Sequence, residues 1–117
     1  MASFDKHSRV YKRYLYHAKE DRESGDCDTA FGNLFLAVLH AIEGWLAKYG
    51  EHSYGHEDRS IRLEKHIMMG RIAPEILHVW EYFLTTIHGK GIYRLILTKK
   101  DLENAFERAK TIFELVP

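Results

Sequence analysis

Eight histidines in a chain of 117 residues make imidazole the first chemistry to weigh. The ring changes charge between pH 5 and 8 and ligates metals when neutral. His52 and His56 lie four apart in Glu51-His52-Ser53-Tyr54-Gly55-His56-Glu57-Asp58. On a helix that spacing turns two imidazoles to one face, ready for a metal. Gly50 and Gly55 instead favour a loop, and Ser53 stands where a zinc-protease helix carries glutamate. Loop histidines or a helix cap are therefore expected here, and no cofactor. His40 and Glu43 interrupt the most apolar stretch of the chain. Three apart, they suit either an acid–base pair or a satisfied polar contact to another helix. The polar contact is expected, because an unpaired buried charge is costly. His88 closes an apolar stretch and precedes Gly89-Lys90-Gly91, with Arg94 just beyond. Glycines let a ligand approach the backbone closely, and Lys90 and Arg94 add nearby positive charge, so His88 marks a candidate ligand site. The competing reading is a histidine stabilised at a helix C-terminus by the dipole.

Cys27 is the sole cysteine, which excludes an internal disulfide and a thiol-rich zinc site. Asp26 and Asp28 flank it and oppose a thiolate. A reducing cytoplasm is the simplest compartment for such a chain.

Seventeen basic residues balance seventeen acidic ones, which argues against nucleic-acid binding by bulk charge. The balance is segmental: residues 1–19 carry +4, residues 20–58 carry −7 and residues 90–100 carry +4. No acidic residue occurs between Lys6 and Lys19. At helical spacing Arg9, Lys12, Arg13, Tyr16 and Lys19 share one solvent side. Cations interleaved with tyrosine can hold phosphates and stack on bases. The alternative is a solvated face that pairs with an acidic one. Lys90, with Arg9, Lys12 and Arg13, completes the candidate ligand-binding set.

These residues must be positioned by helices. Only Pro74 and Pro117 break the chain, no repeat or linker appears, and the length suits one domain over 1–117. Apolar periodicity predicts a helix over about 5–24 with stripe Val10, Tyr11, Tyr14, Leu15 and Ala18. A central helix follows over about 28–49, apolar on more than half its circumference and capped by Asp26 or Asp28. Asp58 would cap a shorter third helix carrying Ile61, Leu63, Ile67 and Met68, ended by Gly70. Pro74 opens a fourth, residues 89–97 form an extended connector, and Thr98 with Asp101 caps the last. The expected fold is an all-α, up-and-down bundle of four longer helices and one short one. The longest unbroken apolar run, Leu34–Leu39, is too short to span a bilayer, and no membrane association is expected.

The stretch Gly25-Asp26-x-x-x-Ala30-Phe31, then Ala37-Val38-Leu39-His40-Ala41-Ile42-Glu43-Gly44-Trp45-Leu46, Tyr49-Gly50 and His56 resembles the central helices of the HEPN family (higher eukaryotes and prokaryotes nucleotide-binding). Thr85-Thr86-Ile87-His88-Gly89 falls where that family has its catalytic-motif region, and Asp101–Val116 where it has its last helix. The resemblance implies a helical bundle that dimerises. Many such proteins are ribonucleases, often toxins paired with a nucleotidyltransferase antitoxin. Their motif is arginine, four to six residues, then histidine, placed across the dimer cleft. Here Phe83, Tyr82 and Glu81 occupy the positions where that arginine would precede His88. Arg59 with His66, and Arg71 with His78, have the spacing at about the frequency chance supplies. The expectation is therefore a cytoplasmic, non-catalytic or degenerate HEPN-like homodimer binding nucleotide, RNA or a protein partner. The alternatives are a metal-independent ribonuclease using His88 with Arg94 as phosphate clamp, and a purely structural module.

Overall fold

The computed structural model describes residues 3–87 and 97–115. Over these the protein is all-helical: α1 (Phe4–Glu23), α2 (Cys27–Ala47), α3 (His56–Met68), α4 (Glu75–Thr86) and α5 (Lys99–Phe113). The lengths run from 21 residues in α2 to 13 in α3 and 12 in α4, so α3 is not the single short helix expected. Most of the connector expected over 89–97 lies outside the described residues.

Local signals set most boundaries. Asp26 caps α2 by accepting the Thr29 N–H at 3.2 Å. Thr98 and Asp101 form the reciprocal box at the start of α5, each side chain accepting the other's N–H. Gly25 ends α1 in the left-handed region at φ 84°, a conformation costly for other residues. Asp58 does not cap α3 as expected. The helix begins two residues earlier, and from its first turn Asp58 accepts the Tyr54 N–H at 2.9 Å.

The apolar helix α2 is the centre, with twelve buried residues. It is long and apolar enough to cross a membrane, but 67% of that stretch is buried inside the protein, as in a core helix. α1 and α5 pack along it, and Phe31 stacks on Phe83 of α4 with ring centroids 5.5 Å apart. Trp80, Phe31, Phe83, Leu34, Ile42 and Leu46 are fully enclosed. At Gly44 α1 comes so close that an added Cβ would meet the His7 Cβ at 3.1 Å. That approach buries His7, where the expected stripe of α1 had only apolar residues and tyrosine.

α3 departs most from its apolar pattern. Ile61 is 48% and Met68 80% exposed, while the buried stripe is Arg59, Leu63 and His66. Those positions, i, i+4 and i+7, still obey helical spacing. Two of the three are polar because α3 covers the carboxylates of Glu43 and Glu51 along with aromatic rings.

Candidate functional site

The first polar cluster is built on Glu43, which α2 holds only 3% exposed. Arg59 of α3, itself buried, donates from Nε to Glu43 Oε2 at 2.8 Å. The Ser53 N–H donates to Oε1 at 3.1 Å, tying the α2–α3 loop to the same carboxylate. His52 lies on the solvent side, its Nδ1 3.7 Å from Oε1. Burial pushes the Glu43 carboxyl up, but the Ser53 hydroxyl and N–H with the Arg59 guanidinium outweigh it, and the net shift is down. The Ser53 hydroxyl helps through its dipole yet falls short of a formed bond, leaving Oγ a buried atom without a partner among the described residues. Arg59 is further fixed by donating from Nη1 to His56 Nδ1 at 2.9 Å and by lying over Trp80, 5.1 Å from the ring centre.

His40 and Glu43 thus do not form an acid–base pair; they turn to different partners. His40 Nδ1 meets His7 Nδ1 of α1 at 3.0 Å, and its ring stacks on Tyr14 with centroids 5.8 Å apart. One nitrogen must donate and the other accept, so the contact needs at least one neutral ring. Burial lowers the pKa of both; the Glu43 charge opposes this, and the cations and other imidazoles reinforce it. The consequence for stability follows from the sign. Below the ordinary value of 6.5 the unfolded chain takes up protons that the native pair resists. Thermal stability should therefore hold above about pH 6.5 and decline below it, with a second loss below 4.5 as Glu43 protonates. Melting curves from pH 8 to 4 check this. The first decline should vanish in a His7→Gln/His40→Gln variant; a protein whose stability rises between pH 6.5 and 5 would contradict it.

The second cluster lies about two turns further along α3. His66, 2% exposed, donates from Nε2 to Glu51 Oε2 at 2.6 Å and accepts at Nδ1 from Arg71 at 3.1 Å, which assigns its neutral tautomer. Arg62 spans Asp58 (2.9 Å) and Glu51 (3.2 Å). Arg59 and His66 therefore serve different carboxylates and do not converge. Sequence reasoning saw this pair only as a chance spacing and missed Ser53 and His7; the available signal was the Arg59–Leu63–His66 stripe opposite two glutamates.

His52 is in the loop and His56 is the first residue of α3. His56 is taken up by Arg59 and packs against Phe35 and Trp80. Among the described residues no three or more His, Cys, Asp or Glu side chains group to hold a metal. Cys27 is a half-buried free thiol at the start of α2. His88, Lys90 and Arg94 lie outside the described residues. Beside them in sequence, Ile87 lines a cavity of about 480 Å³ over α2, with Thr29, Gly32, Asn33, Leu36 and Leu39.

The outer face of α1 is different in kind. Lys6, Arg9, Lys12, Arg13, Tyr16 and Lys19 are all exposed, and among the described residues none of the five cations forms an ion pair. Tyr16 is 61% exposed between them. The basic residues that pack into the fold, Arg59, Arg62 and Arg71, are by contrast hydrogen-bonded or ion-paired. No family model and no curated protein matches the chain.

Proposed function

We propose that this chain is a cytoplasmic, non-catalytic HEPN-like bundle that binds single-stranded RNA through the outer face of α1 and acts as a homodimer. The observation that carries the reading is the row Arg9, Lys12, Arg13 and Lys19, exposed with Tyr16 among them and left without acidic partners in the described residues. A solvated face that merely balances a neighbouring element would have its counter-charges nearby. A face kept unpaired is free to neutralise phosphates and so release the cations condensed along a polyanion. Among the described residues the buried Glu43 and the half-buried Glu51 are held by Arg59, Arg62 and His66, which supports binding without cleavage.

The dimer rests on Gly32. A glycine inside a helix costs roughly 0.5–1 kcal/mol relative to alanine, yet apart from its chain neighbours and the nearby backbone of its own helix no atom of the described residues lies within 4 Å of where its Cβ would be. Among the described residues it sits in an apolar-lined hollow with Leu36 and Leu39, a surface that would let a second copy approach the backbone closely.

Titration of a fluorescent oligouridylate tests the function. Wild type should bind at low salt and return the RNA intact in EDTA. The Arg9→Glu/Lys12→Glu/Arg13→Glu variant should lose binding while melting at the same temperature. Unchanged binding by that variant would overturn the role of α1. Cleavage by wild type that disappears in His88→Ala would overturn the absence of catalysis.

A further inference from the structure

A second groove, of about 340 Å³, runs between α1 and α5 and is lined by Leu15, Lys19, Arg22, Phe106, Lys110 and Phe113. That volume is at the lower end for small-molecule pockets, roughly 300–1,000 Å³. Its floor is the half-buried margin of the core, Leu15, Phe106 and Phe113. Its rim holds three cations from two helices. The Arg22 guanidinium lies over the Phe106 ring, 4.1 Å from the centroid, and its contact with Glu103 is loose at 4.0 Å. Lys110 reaches Glu107 at 2.8 Å, but these side chains are 67% and 72% exposed, so the pair is worth little and open to exchange. Lys19 is exposed and has no ion pair among the described residues.

Apolar and aromatic surface beside positive charge from both walls fits a ligand with a flat apolar body and an anionic end. The groove also borders the basic face of α1. Lys12 and Lys19 are seven residues apart, two helical turns or about 10.5 Å along one edge, and Leu15 and Arg22 lie on the adjoining edge that lines the groove. A strand whose phosphates track that edge passes the mouth of the groove.

We propose that the groove is a nucleotide subsite, in which an unstacked base of single-stranded RNA seats against the Arg22–Phe106 pair while Lys19 and Lys110 hold an adjoining phosphate. Bases stack on arginine planes and aromatic rings with little regard to sequence, so the subsite strengthens binding without selecting a base. This rests on the RNA-binding reading of α1.

The test uses the full chain and an oligouridylate carrying 5-iodouridine, irradiated in the complex and mapped by peptide mass spectrometry. Crosslinks at Phe106 or Phe113 are expected. In solution, Phe106→Leu keeps an apolar side chain but removes the ring. It should weaken binding roughly ten-fold without changing its salt dependence. Lys19→Gln/Lys110→Gln should reduce the salt dependence. Salt-dependent binding with crosslinks confined to Tyr16 or elsewhere outside the groove overturns the subsite and leaves the α1 reading standing. Absence of any salt-dependent RNA binding overturns both. If Phe106→Leu fails to fold, the crosslink map of wild type decides.

Discussion

Glu43→Ala should destabilise the protein by about 3–5 kcal/mol, the cost of breaking a buried ion pair from one side. The carboxylate is 4% exposed and its partner guanidinium 7%. Removing it leaves Arg59 charged and enclosed, with His56 Nδ1 its one remaining acceptor among the described residues, and strips the Ser53 N–H of its bond. Small domains have total stabilities of about 5–15 kcal/mol, so urea unfolding should show a much lowered midpoint. The loss comes from the stranded charge more than from the pair's own worth. Glu43→Leu/Arg59→Met, which removes both ions and keeps the volume, should therefore recover most of it. A loss below about 1 kcal/mol in Glu43→Ala would mean that Arg59 escapes to solvent and that the cluster is not a lock.

Trp80→Ala should cost a similar amount, about 3–5 kcal/mol, for a different reason. The indole is fully enclosed, packs 5.6 Å from Phe35 and 5.6 Å from His56 by ring centroids, and donates from Nε1 to Ser60 Oγ at 3.1 Å. Truncation leaves a cavity where α2, α3 and α4 meet and removes the ring under Arg59. Trp80→Phe should retain more than half of the lost stability. Since Arg59 is shared, the two truncations should be less than additive when combined. Strict additivity in a double-mutant cycle would contradict the arrangement of Trp80, Arg59 and Glu43 as one unit.

Helices whose buried stripe is hydrocarbon were legible from periodicity: α2 around Phe31, Leu34, Val38 and Ile42, and α5 with its Thr98–Asp101 box and Leu102, Ala105, Ala109 and Ile112. α3 was not, because apolar counting looks for Ile61 and Met68 while the helix buries Arg59 and His66. A polar residue at a buried position is stable only with its counter-charge, and that counter-charge sits on α2 or in the loop, 15 or 16 residues away. Single-sequence spacing has no access to such pairing. The same reason left the partner of His40, expected on another helix, without a name: His7 is 33 residues away and reaches it through the close crossing at Gly44. The basic face of α1 was legible, because a surface row needs nothing beyond helical period and an absence of acids.

The claim that this row contacts RNA backbone is tested most directly by the salt dependence of oligouridylate binding. Single-stranded RNA gives a slope of log K against log salt of about −0.7 per phosphate contacted. Contacts from Arg9, Lys12, Arg13 and Lys19 should give wild type a slope of about −2.8, and Arg9→Gln/Lys12→Gln/Arg13→Gln about −0.7. Equal slopes for the two proteins would contradict the account.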